Sequence, residues 1–227
     1  MAHIDMRTGN GWQRLNSNNV RIWNGNSWQR PKARIWNGHD WVECLEERHV
    51  DTWDCTWSNG YWSDWHNNEA KGKWGGLVWA ANHPLQGSYA PYRDHWDWGN
   101  EGGMMGFDDG NIRWKLQGAR IEKVELYLQA CHFGYYSGGE AVIGAHNARG
   151  WQEHFSEINH GIVHVRYYSR TQGQWIQLPN WVGDNFRDNK LAGFTTKADS
   201  PNLWQYGVFE GSDSGWKKPK LRITYWK

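Results

Sequence analysis

The side chains best suited to chemistry in this chain are aromatic and acidic. Trp62, Trp65, Trp96 and Trp98 stand among Asn, Asp, Gly and His in TWSNGYWSDWHNN and YRDHWDWGN. Exposed indole and phenol rings present flat apolar faces that stack on the C–H face of a sugar, while nearby amides, carboxylates and imidazoles supply directional hydrogen bonds. That mixture points to carbohydrate binding. Tyr135 and Tyr136, in HFGYYSGG, share its character. Trp53 and Trp57 differ, because they alternate with Thr52, Asp54 and Thr56 and fit the core face of a strand. Aromatic residues also anchor protein interfaces, so burial against neighbouring subunits is the competing reading of the loop tryptophans.

Catalysis demands more than these residues offer. Glycan hydrolysis requires two carboxylates roughly 5–9 Å apart, one of them in an apolar setting that raises its pKa. Asp64, Asp94, Asp97, Glu101, Asp108 and Asp109 are available, yet no pair has such a setting, and acids beside Gly and Asn are ordinary turn formers. There is no GxSxG, no Ser-His-Asp pattern and no phosphate loop, so no catalytic residue is assigned. Metal ligation is not expected either, although the chain has 11 His. His132 and His146 fall at opposite ends of two strands, and His154, His160 and His164 do not show HxxxH or HExxH spacing on a helix. Cys44, Cys55 and Cys131 lack CxxC spacing, which argues against both a disulfide framework and a zinc site. No cofactor is implied.

Composition narrows the classes further. The 227 residues suffice for one sizeable β domain with a small appendage. With 25 basic and 24 acidic residues and no basic run, nucleic acid is not an expected partner. Mean hydropathy is −0.91, but 20 Trp and 16% aromatic residues provide enough burial for folding. No apolar run reaches the roughly 20 residues of a membrane span, and the first residues lack the apolar centre of a signal peptide. Synthesis in the cytoplasm and a route other than secretion are therefore expected.

These side chains must be carried by strands. RIEKVELYLQACHFGYYSGGEAVIGAHN (120–147) reads as two strands joined by a loop over 133–139. Treated as a paired hairpin, it sets His132 opposite Glu140 and Leu126 opposite His146, with Leu126, Leu128, Ala130, Val142 and Gly144 on one buried face. Earlier, RIWNGxxW occurs twice, with Trp23 and Trp28 recurring as Trp36 and Trp41; Trp12-Gln13-Arg14 is a degenerate third copy. Asn-Gly between aromatic and β-branched residues signals hairpins, each with its Trp pair directly opposite across two strands. A unit that small buries little alone and is expected to dock on the remaining chain or on a neighbouring protein. The polar stretch 43–49 marks the boundary between residues 1–46 and 47–227.

Further strands are expected around Trp53–Trp57, Gly76–Ala81, Met104–Asp108, Ile162–Tyr168, Gln174–Leu178, Leu191–Thr196, Leu203–Phe209 and Pro219–Trp226. One helical turn fits 179–188, with Asn180 as N-cap and Trp181 facing inward. Short strands at regular intervals with almost no helical periodicity define an all-β antiparallel sandwich or jelly roll, preceded by a small Trp-rich hairpin segment.

From about Trp53 onwards the order of segments resembles the C-terminal jelly-roll domain of minor tail proteins from long-tailed bacteriophages, especially those of actinobacteria. That domain is similar to the carbohydrate-binding-module-like DNRLRE domains. The likeness lies in TWSNGYWSDW, MMGFD, LQGARIEKVELYL, HFGYYSGGEAVIGAHN, WIQLP and PKLRITY, and RIWNGxxW resembles short modules of such proteins. It implies a structural component of the virion at the tail tip, made in the host cytoplasm, that contributes to attachment to the host surface. Its partners would be other tail proteins, further copies of itself in a trimer or higher ring, and a host cell-envelope glycan. Trp62, Trp65, Trp96, Trp98, Tyr135 and Tyr136 would meet the glycan, and Trp23, Trp28, Trp36 and Trp41 the neighbouring proteins. The alternatives are a carbohydrate-binding module of a cell-wall-associated bacterial protein, or a glycan depolymerase.

Overall fold

A computed structural model describes residues 4–16, 18–63, 66–74, 81–88 and 99–227. The chain begins with three two-stranded hairpins: β1 (Asp5–Thr8) with β2 (Gly11–Arg14), β3 (Ile22–Trp23) with β4 (Trp28–Gln29), and β5 (Arg34–Trp36) with β6 (Trp41–Glu43). The repeat is therefore real at the level of backbone pairing. Trp23 lies opposite Trp28 and Trp36 opposite Trp41, while Arg7 occupies the equivalent place opposite Trp12.

The strands that follow are β7 (Arg48–Asp54), β8 (Trp57–Tyr61), β9 (Leu85–Gln86) and β10 (Gly102–Gly106), then helix α1 (Asp109–Leu116). Next come β11 (Arg120–Phe133), β12 (Gly139–His146), β13 (Asn159–Tyr167) and β14 (Gly173–Leu178), and helix α2 (Asn180–Arg187). β15 (Gly193–Lys197), β16 (Gly207–Phe209) and β17 (Lys220–Trp226) complete the chain. One sheet contains the order β13-β12-β15-β10-β8; in the other, β11 lies between β17 and β14, with β7 beyond β17. Taking β7, β10, β11, β12, β13, β14, β15 and β17 as eight principal strands, one sheet runs first, eighth, third, sixth and the other second, seventh, fourth, fifth. That double Greek key is a jelly roll.

The core lies between the two sheets. Leu126, Leu128 and Ala130 of β11 meet Ala141, Ile143 and Ala145 of β12, with Phe133, Phe194, Phe209, Leu221 and Ile223 around them. α1 and α2 add Ile112, Leu116, Val182 and Phe186 to that core. Asp108 starts α1 by accepting a hydrogen bond from the Asn111 backbone N–H at 3.0 Å.

Several local expectations are corrected. β11 and β12 do not form a paired hairpin; the chain crosses from one sheet to the other between them, and β12 pairs with β13 and β15. The inward face of β12 is consequently Ala141, Ile143 and Ala145 rather than Val142 and Gly144, since a strand's faces alternate residue by residue. The strand expected over Trp53–Trp57 breaks at Cys55, where the chain also changes sheets. In α2, Pro179 holds the cap position, Asn180 begins the helix, and Trp181 is exposed while Val182 and Phe186 turn inward. The strand expected over 76–81 lies outside the described residues apart from Ala81, which sits in a turn.

Candidate functional site: an aromatic ledge beside a histidine–carboxylate cluster

The loop between β11 and β12 carries Tyr135 and Tyr136, the expected sugar-facing pair outside the Trp-rich half. Gly138 closes it with φ 85°, and a Cβ there would come within 2.1 Å of the Tyr167 carbonyl oxygen, so only glycine fits. Two other segments join this loop: Tyr168–Gln172 after β13, and Leu203–Gln205 before β16. The Gly134 N–H donates to the Tyr206 carbonyl at 3.1 Å, and the Glu140 N–H to the Trp204 carbonyl at 3.2 Å.

The result is an aromatic ledge threaded by two arginines. Tyr136 is 83% exposed, Tyr168 73% and Trp204 40%. Tyr135 and Trp204 lie 6.5 Å apart, centroid to centroid. The Arg166 guanidinium stands 3.9 Å above the Trp204 ring and 5.4 Å from Tyr168, and Arg170 stands 4.0 Å above Tyr136. Arg166 Nη2 donates to the Ser137 carbonyl at 3.1 Å, and Arg170 Nη2 to the Gly134 carbonyl at 3.3 Å. Each guanidinium thus fixes both a ring and the loop beneath it, so the exposed faces are held before any ligand arrives.

Next to the ledge, on β12, β13 and the loop after β15, lies a cluster of His and carboxylate groups. Glu140 on β12, His164 on β13 and Asp199 have ligand atoms all within 4.8 Å of one another. His164 Nδ1 is 3.5 Å from Glu140 Oε2 and 3.7 Å from Asp199 Oδ2. Gln205 Nε2 donates to both of those carboxylate oxygens, at 2.8 Å each. His160 lies between Glu157, 2.9 Å from Nδ1, and Asp199, 3.1 Å from Nε2. The Gln205 hydrogen bond, supported by His160 and His164, holds the Asp199 carboxyl below the usual range against the opposing effect of burial. Behind the cluster, fully buried Gln86 donates to the Glu140 and Gln205 carbonyls at 2.7 and 2.6 Å and accepts from the Val142 N–H at 2.9 Å.

Neither Trp204 nor the cluster stands out in the sequence. HGIVH (160–164) has H-x-x-x-H spacing, but on a strand; a register shift near Gly161, at φ 59°, interrupts that strand, and both rings approach Asp199. The usable signal was a pair of histidines four apart in a strand-like run. Glu140 and Asp199 are brought in by topology alone.

The remaining aromatic candidates fare differently. Trp62 is half-buried, with Lys71 Nζ 4.1 Å from its ring centroid and His66 alongside at 5.8 Å. Lys71 is itself buried and paired with Glu101. Trp62 therefore packs on an internal ion pair. Trp65, Trp96 and Trp98 lie outside the described residues. Near Trp62, the outer face of the β8–β10 sheet is covered by a second small core of Tyr61, Ala70 and Met104, with Trp57, Ala148 and Phe155 packed on it.

On the hairpins, Trp23, Trp28, Trp36 and Trp41 are all more than half exposed. Their rings form two tilted pairs, 5.7 and 5.8 Å between centroids. Among the described residues, no helix is long and apolar enough to cross a membrane. The sequence matches no family model and no curated protein.

Proposed function

We propose that this chain is a structural, glycan-contacting component of a bacteriophage tail tip, using the Tyr135, Tyr136, Tyr168 and Trp204 ledge to hold host cell-envelope polysaccharide. The observation that carries the glycan reading is this set of solvent-facing rings, pinned by Arg166 and Arg170 at one end of a jelly roll. Stacking needs rigid, exposed apolar faces with polar groups at their margin, and Glu140, His164 and Gln205 lie beside Trp204. The tail-tip setting rests on the resemblance of the segment order to minor tail proteins. The exposed hairpin tryptophans fit attachment to neighbouring tail proteins, or to further copies of the chain in a ring. A carbohydrate-binding module of a cell-wall protein would use the same ledge without the tail.

The test is binding of the full chain to cell-envelope polysaccharide from candidate actinobacterial hosts, with released reducing ends recorded in parallel. Saturable binding without release is expected. The variant carrying Tyr136→Ala and Trp204→Ala should bind on the order of tenfold more weakly, with unchanged far-UV circular dichroism. Equal binding by that variant removes the ledge from the proposal, and released reducing ends replace binding with hydrolysis.

A further inference from the structure

In the histidine–carboxylate cluster Gln205 bridges the two carboxylates, but no hydrogen bond accounts for the place of His164 between them. His164 Nδ1 approaches two carboxylate oxygens at 3.5 and 3.7 Å and makes no hydrogen bond to either. Ligand atoms about 2.0–2.2 Å from a tetrahedral ion stand about 3.3–3.6 Å from each other, the edge length of the tetrahedron. The three groups come from two strands and a loop, yet their donor atoms converge within 4.8 Å.

Charge points the same way. Glu140, Glu157 and Asp199 gather here, and among the described residues no Lys or Arg pairs with any of them. On the same strands, Arg166 of β13 stands on Trp204 and the Ser137 carbonyl, and Lys197 of β15 above the Phe155 ring at 4.9 Å.

We propose that Glu140, His164 and Asp199 bind a divalent first-row transition cation of the zinc class, with the fourth coordination position left to solvent. Gln205 and the Glu157–His160 pair orient the two carboxylates, as outer groups do around metal ligands. The side chains of the three ligands are 31–45% exposed, so an ion can enter without unfolding the sheet. Imidazole with carboxylate is a donor set for zinc, nickel or cobalt rather than for calcium, which takes oxygen ligands. The ion would tie the loop bearing Asp199, Trp204 and Gln205 to β12 and β13, and so brace one side of the ledge.

The experiment is titration of the full chain with zinc chloride by calorimetry, and with cobalt(II) by visible absorption. One ion per chain and the intense bands of four-coordinate cobalt are expected. His164→Ala and Asp199→Asn should each weaken binding at least tenfold, and Glu157→Gln on the order of tenfold through loss of orientation. His164 and Asp199 are at the surface and the Glu157 side chain is only 12% exposed, so circular dichroism checks that each variant is folded. No saturable uptake, the weak absorption of six-coordinate cobalt, or undiminished binding by His164→Ala would each overturn the site.

Discussion

At the scale of single residues, His146 shows how a buried polar group can specify both a structure and a pH dependence. It is fully buried at the end of β12. Its Nδ1 accepts from the Ala148 N–H at 3.1 Å, and its Nε2 faces the Met105 carbonyl oxygen at 3.1 Å. That pairing requires the proton on Nε2 and the lone pair on Nδ1. A second proton would have to enter at Nδ1, against a backbone donor and without water, and burial pushes the pKa down from 6.5 to about 4. The unfolded chain therefore binds the proton first as pH falls. The stability linked to this group is complete above pH 6.5, is lost between 6.5 and 4, and amounts to about 3 kcal/mol in all. Urea unfolding at pH 7.5 and pH 4.5 should show a larger loss for the native chain than for a His146→Gln variant. Equal losses would mean that the carboxylates alone carry the acid sensitivity. The sequence does not show why His146 is buried, because a backbone partner such as the Met105 carbonyl becomes visible only once β10 and β15 are placed beside β12.

At the scale of elements, legibility followed the regularity of alternation. β17, with Leu221, Ile223 and Tyr225 buried together, is plain in PKLRITYW. β12 was read on the wrong face because a loop between two strands suggests a ladder, whereas here it is an arch between sheets. α1 is hard to see in the sequence because its inward positions are only Ile112 and Leu116, four apart, while its largest apolar residue, Trp114, faces solvent. The second and third hairpins were legible in full, because each is local; of the first, only Trp12-Gln13-Arg14 stood out. In the third, Asn37 Oδ1 accepts from the His39 and Asp40 N–H groups at 2.8 Å each, and Gly38 takes φ 102°; Asn24 and Gly25 repeat this arrangement in the second. Isolated two-stranded ribbons are marginal, so losing these caps, on the order of 1 kcal/mol, should open the ribbon. Asn37→Ala should abolish the far-UV exciton signal of the Trp36–Trp41 pair and leave that of Trp23–Trp28. The main unfolding transition should not move. An unchanged exciton signal would show that the indole contact alone holds the ribbon.

For the whole molecule, the jelly roll separates three tasks that a sequence shows only as successive stretches. α1 and α2 contribute to the core, loops between sheets build the ledge, and the hairpins keep their indoles outside. The expected fold class already implied the correction to β11 and β12, since the third and fourth strands of a jelly roll lie in opposite sheets. The aromatic ledge was half legible: Tyr135 and Tyr136 stand together in sequence, but Tyr168 and Trp204 arrive through repeated crossings of the chain between sheets. The first 46 residues were expected to dock somewhere, and the exposure of their indoles points away from the sandwich. Their polar ties to it include Glu46, bonded to Arg14 at 3.3 Å and Arg120 at 2.9 Å. The backbone pairing of Glu47 with Lys227, at 2.8 and 3.1 Å, lies beyond the boundary and survives its removal. Residues 1–46 also include Cys44 and Leu45, only 3% and 8% exposed, and burial of a Leu side chain contributes about 1.5–3 kcal/mol. A chain of residues 47–227 should therefore lose about 1.5–3 kcal/mol of stability to urea relative to the full chain but keep its affinity for polysaccharide, while losing binding to isolated phage tails. If it instead fails to fold, the hairpins belong to the sandwich; if it binds tails as well as the full chain, the docking surface lies on the jelly roll.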